Sequence, residues 1–187
     1  GWSGVWRFEA PVGDAKGEGP VGLAYIDWTA GATAGTSEAW IATGGYDSSA
    51  ERWLPRLAVE RTGENLVSAF VPAYAHFVVT PTAIGLQRMA VSDGSGVALG
   101  DSHVALRIEY PDGGYAMVLL RDPEQSTTCV VPSGDGPNLT SDGELAFVRF
   151  DASGQVRHAV LSGGTLLEAG PIRLDRPASQ PFVSKQY

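Results

Sequence analysis

The chain is poor in lysine, in cysteine and in long apolar runs, and each scarcity removes a class of function. Lys16 and Lys185 are its only lysines, and 13 basic against 21 acidic side chains leave a net charge of −8. Nucleic acid and anionic membrane surfaces are held by clustered Lys and Arg that displace counterions, so neither partner is expected. No run approaches the ~20 apolar residues that cross a bilayer as a helix. Cys129 is the single cysteine, which excludes an intrachain disulfide and a cysteine-based zinc site. No His or Asn motif surrounds it to activate a nucleophile, so it reads as a small buried thiol. The three histidines are widely spaced and no carboxylate cluster has a ligand pattern, so no metal and no cofactor are expected. A phosphate-cradling loop and a Gly-x-Ser-x-Gly elbow are both missing.

What is present is punctuation. Twenty-four Gly and twelve Pro break the 187 residues too often for long helices. Between them lie short runs rich in Val, Leu, Ile, Phe, Tyr, Trp and Thr, the signature of strands. His103 to Tyr110 alternates Val104, Leu106, Ile108 and Tyr110 against Ala105, Arg107 and Glu109, a period of two. Pro111-Asp112-Gly113-Gly114 turns it into the strand from Tyr115 to Leu120. A second hairpin joins Glu144–Phe150 to Gln155–Leu161 through Asp151-Ala152-Ser153-Gly154. Two short strands, Thr165–Glu168 and Pro171–Leu174, follow. In the first half, strands are expected at Val5–Glu9, Val21–Asp27, Ser37–Ala42, Leu54–Glu60, Asn65–Val71 and Ile84–Ser92. Pro55 puts its strand at an edge or marks a bulge in it. One helical turn fits near Ser48–Trp53.

Turns every 8–12 residues or so predict an all-β fold, an antiparallel β-sandwich of short strands and hairpins. Residues 1–92 form a tryptophan-rich half and residues 93–174 a hairpin-rich half, either separate or one continuous domain, with a tail at 175–187 that wraps the surface or frays. The Gly94-Ser95-Gly96 segment reads as a linker at their boundary. The chain begins at Gly1 without a charged-then-apolar leader, and we read it as a piece of something longer.

Candidate contacts gather in the first half, where all five tryptophans lie: Trp2, Trp6, Trp28, Trp40 and Trp53. Exposed, they stack on sugar rings; buried, they fill the core or an interface to another domain. Trp40, Tyr46, Trp53 and Arg56 are the candidates for glycan or domain contact. Tyr74-Ala75-His76 puts two titratable groups on one face of an extended segment, a weak acid–base pair for proton abstraction next to a carbonyl. His103 and His158 read as surface positions.

Several segments together resemble the carboxy-terminal β-structure of the heparinase II/III-like polysaccharide lyases. They are Trp40-Ile41-Ala42-Thr43-Gly44, Leu54 to Arg61, Gly63 to Tyr74, Ala105 to Tyr110, Asp142 to Asp151, Gly154-Gln155-Val156 and Gly163 to Glu168. They span about residues 37 to 174. The resemblance implies a secreted or periplasmic bacterial protein. Lyases of this kind join a helical toroid to stacked antiparallel sheets and cleave uronic-acid polysaccharides by β-elimination. Their acid and base come from the toroid and an earlier part of the sheets, so no catalytic residue carries over. Tyr74 falls at a Pro-aromatic step that is structural in the family. The implied role is non-catalytic, shaping or supporting a glycan cleft, with an acidic polysaccharide or a neighbouring catalytic domain as partner. Two other readings stand beside it. One is a stand-alone carbohydrate-binding module. The other is a small complete lyase using Tyr74 and His76, with Arg56 or Arg61 neutralising a substrate carboxylate.

Overall fold

The computed structural model describes residues 2–8, 21–42, 51–78, 85–177 and 180–187. The described residues are mostly strand and contain no helix. β1 (Trp2–Phe8) and β2 (Val21–Asp27) are antiparallel neighbours. β3 (Thr33–Ala42) and β4 (Glu51–Glu60) form a two-stranded ribbon, and β5 (Pro72–Val78) returns to pair with β2. Pro55 therefore sits in a strand with one partner, opposite Glu38, where its missing N–H costs no ladder bond on the open side.

The second half builds two facing sheets. One contains β6 (Gly85–Met89), β8 (Val104–Glu109), β9 (Tyr115–Leu120), β12 (Leu145–Phe150), β13 (Val156–Ser162) and β16 (Phe182–Gln186). Its order is β16-β13-β12-β9-β8-β6. The other runs β15-β14-β11-β10-β7, from β7 (Ser92–Asp93), β10 (Cys129–Val131), β11 (Leu139–Ser141), β14 (Leu166–Ala169) and β15 (Ile172–Asp175). Alternate residues from both sheets meet between them: Met117, Leu119, Ala146, Val148 and Phe150 against Cys129, Val131, Leu139, Leu167 and Ala169. This is the all-β antiparallel sandwich that the turn spacing predicts. Cys129 is fully buried, as its apolar setting suggested, and burial pushes its thiol pKa up.

Both predicted hairpins close on their turn residues. Asp112 Oδ1 accepts from Gly114 N at 2.9 Å, and Gly113 adopts a φ of 79° that a side chain would strain. Asp151 Oδ1 accepts from Ser153 N, Ser153 Oγ and Gln155 N, which fixes the second turn.

Five local expectations are corrected. Asn65–Val71 is irregular, because Asn65 turns to a φ of 52° and the strand starts only at Pro72. Glu51–Trp53 is strand, not a helical turn; residues 48–50 lie outside the described residues. Gly94-Ser95-Gly96 is a tight loop, capped by Asp93 Oδ1 at 2.8 Å from Ser95 N and 2.9 Å from Val97 N. Within the tail, β16 is an edge strand in register with β13, Ser162 opposite Phe182 through His158 opposite Gln186. The fifth concerns His103, which is buried rather than on the surface.

Candidate functional site

The β2–β3 connection does the positioning. β2 ends at Asp27, whose carboxylate accepts from Thr29 N at 2.7 Å and from the Tyr25 hydroxyl at 2.5 Å. Thr29 Oγ1 accepts from Val71 N at 3.0 Å, and Trp28 N donates to Val71 O at 3.1 Å. These bonds tie the exit of β2 to the entry of β5. Gly31, at a φ of 63°, then reverses the chain into β3. Burial alone would raise the Asp27 pKa, but hydrogen bonds from Thr29 and Tyr25 outweigh it and hold the carboxyl below its usual range. Burial pushes the Tyr25 phenol strongly up, and its bond to Asp27 adds to the effect, so Tyr25 acts as a fixed donor.

Around this connection opens a cleft of about 630 Å³, lined by residues 27–34, by Val59 of β4 and by Arg88, Met89 and Ala90. Small side chains at Ala30, Gly31, Ala32 and Ala34 keep it open, and Trp28 supplies an aromatic wall. The Trp28 indole N–H is buried without a partner. Arg88 donates to Trp28 O at 3.5 Å and to the Asp101 carboxylate at 3.4 Å. Arg61 pairs with the same Asp101 at 3.3 Å and donates to Val67 O at 3.3 Å. Two half-buried guanidinium groups thus share one carboxylate beside the cleft.

A second arrangement borders it. Tyr74 of β5 lies directly opposite Tyr25 of β2, and their rings meet edge to face at 5.1 Å. His76 lies opposite Leu23, so Tyr74 and His76 share a sheet face with Tyr25 and Asp27. Both are exposed, Tyr74 at 65%. Arg56 is exposed on β4 opposite Ser37. Arg61 is engaged by Asp101 and Val67 rather than by the Tyr74–His76 face.

Trp40 is 52% exposed on β3, and its register partner is Trp53. The side chains of Trp2, Trp6 and Trp53, and the whole of Tyr46, lie outside the described residues. The described residues hold no cluster of three or more His, Cys, Asp or Glu that could bind a metal ion. No described helix is long and apolar enough to cross a membrane. Sequence reasoning passed over Trp28, Arg88 and Asp101 as site residues. Only the Trp28-Thr29-Ala30-Gly31 turn could have pointed to the cleft, since Arg88 and Asp101 arrive from elsewhere in the chain.

Comparison with family models, with curated proteins and with solved structures finds no match to this chain, so nothing there links it to the heparinase II/III-like lyases.

Proposed function

We propose that this chain is a non-catalytic glycan-binding β-sandwich that takes an acidic polysaccharide in the cleft beside Trp28, serving as the sandwich portion of a heparinase II/III-like lyase. The observation that carries the binding part is the pairing of an aromatic wall, Trp28, with a guanidinium, Arg88, in one open cleft. A volume of about 630 Å³ lies within the usual range for small-ligand sites and suits a short stretch of sugar rings. Indole rings offer sugars an apolar face, and the planar fork of Arg matches a uronate carboxylate. The lyase part rests on the sequence resemblance over residues 37 to 174 alone.

Titrating the chain with oligosaccharides of alginate, hyaluronan and heparan sulfate by calorimetry tests the binding. At least one series should bind, and Arg88→Ala should weaken it by about tenfold or more, roughly 1.4 kcal/mol. A neutral oligosaccharide should not respond to that change. Absence of binding, or binding indifferent to Arg88→Ala, overturns the site. Binding with full affinity and no gain from any catalytic partner would favour the stand-alone module over the lyase portion. Release of unsaturated sugar that is lost in His76→Ala would instead promote the small complete lyase.

A further inference from the structure

One end of the sandwich holds two buried nitrogen-bearing side chains, each with one nitrogen left without a partner. His103 is 3% exposed and Arg121 is 8% exposed. They stand one residue beyond the β8–β9 ladder, which ends at Val104 opposite Leu120. His103 Nε2 and Arg121 Nε are both buried with no hydrogen-bond partner. Arg121 has no ion pair among the described residues; its Nη1 donates to the backbone oxygen of Asp122 at 3.1 Å. A buried cation without a carboxylate partner and a buried ring nitrogen without a bond are each costly, so their coincidence is a stored instability.

The protonation state of His103 follows from its other nitrogen. Nδ1 lies 3.3 Å from Ser102 Oγ, and Nε2 has no hydrogen-bond partner. The ring proton is therefore satisfied on Nδ1, where the Ser102 oxygen accepts it, and would be unmet on Nε2. Nε2 then carries only a lone pair, and the ring is neutral. The charged and titratable groups around it are Asp122 on one side, Arg121 on the other, and beyond Arg121 the Cys129 thiol. A proton arriving at Nε2 creates a second N–H with no acceptor and a second positive charge beside Arg121.

We propose that His103 is an acid-operated latch: its protonation opens the sandwich at the end of the β8–β9 ladder and uncovers Cys129. Water reached by opening solvates the imidazolium and the guanidinium together. Burial holds the ring below its ordinary value of 6.5, with Arg121 adding to the effect and Asp122 opposing it. The unfolded chain therefore binds this proton more readily. Stability from the neutral ring is complete above the ordinary value and is lost as the pH falls below it toward the depressed one. Hydrogen bonds hold Asp142 and Asp151 below their ordinary 3.8, so their loss begins at a lower pH than the histidine loss does.

The test compares the full chain with His103→Gln at neutral pH and at about pH 5.5, inside the histidine window. The unsubstituted chain should lose melting temperature between the two, and His103→Gln should not. Cys129 is the only thiol, so its reaction with 4,4′-dithiodipyridine reports the opening. The rate ratio of unsubstituted chain to variant should rise severalfold at the acid pH, which cancels the reagent's own pH dependence. An equal ratio at both pH values overturns the latch. If His103→Gln does not fold, histidine ring resonances of the unsubstituted chain decide. His103 must titrate below the ordinary histidine value of 6.5, and its titration must coincide with broadening of Cys129 and its neighbours. Titration at or above that value, or without any change at Cys129, overturns it equally.

Discussion

Among the described residues, Phe150 has the largest fully buried side chain, and it stacks on Tyr115 with ring centroids 4.6 Å apart. Phe150→Ala should cost about 3–5 kcal/mol, read as a fall in denaturation midpoint at unchanged m-value. Arg107 lies over the other ring of that stack, 4.1 Å from the Tyr115 centroid, and pairs with Asp135 at 3.0 Å. Asp142 is a different kind of anchor. Its carboxylate accepts from Thr165 N, Leu166 N and the Thr165 hydroxyl, which pins the start of β14 to the β11–β12 turn. Asp142→Ala should destabilise by about 1–3 kcal/mol because the freed backbone N–H groups lose their acceptor. Hydrogen bonds from the Ser153 hydroxyl, Gln155 N and Arg157 hold Asp151 at about 2. Such depressed groups contribute stability that is present above their unfolded value and is lost as pH falls through the folded one. An acid titration of the melting temperature should therefore show a second decline below about pH 4, after the histidine step, blunted in Asp151→Asn. At this scale the sequence spoke clearly for turn aspartates and the buried thiol. It did not speak for His103, because a histidine at a strand's start looks the same whether its neighbour turns inward or out.

Close backbone approach governs the elements. A Cβ on Gly164 would overlap the Gly143 backbone and crowd Asp142 Oδ1, so two glycines let the β11–β12 and β13–β14 turns touch. Gly164→Ala should lower stability by roughly 1–3 kcal/mol through overpacking, measurable by denaturant unfolding. The same substitution at Gly100, where a Cβ meets nothing within 4 Å, should be near neutral and serves as the control. Hairpins were legible because Asp-Gly and Asp-x-Ser-Gly turns carry their own geometry. The stretch Asn65–Val71 misled for a physical reason: its Leu66, Val67 and Phe70 have strand propensity yet stay exposed. Arg61 holds Val67 and Thr29 holds Val71, a tertiary demand that outweighs local preference.

Across the whole molecule, the sandwich core is drawn from residues between Val91 and Leu174. β6 and β7 pair within these sheets, so the structural unit of the second half starts at Gly85. A fragment of residues 85–187 should fold on its own, with a β-type circular dichroism spectrum and a cooperative thermal transition. A broad, non-cooperative melt would refute this. The sequence by itself determined the class: period-two runs and frequent turns leave an antiparallel sandwich as the way to bury 43% hydrophobic residues without helices. It also determined the hairpin turns and the buried thiol, because each follows from neighbouring residues, while for Pro55 it left an edge or a bulge. Which face of β8 enters the core was a tertiary decision. Ala105, not the alternating Val104, Leu106 and Ile108, meets Leu119 and the facing sheet. The cleft and the latch were decided in the same way. Arg88 reaches Trp28, and Arg121 settles near His103, across separations that no local pattern encodes, since only packing of the sheets sets the distance between their ends.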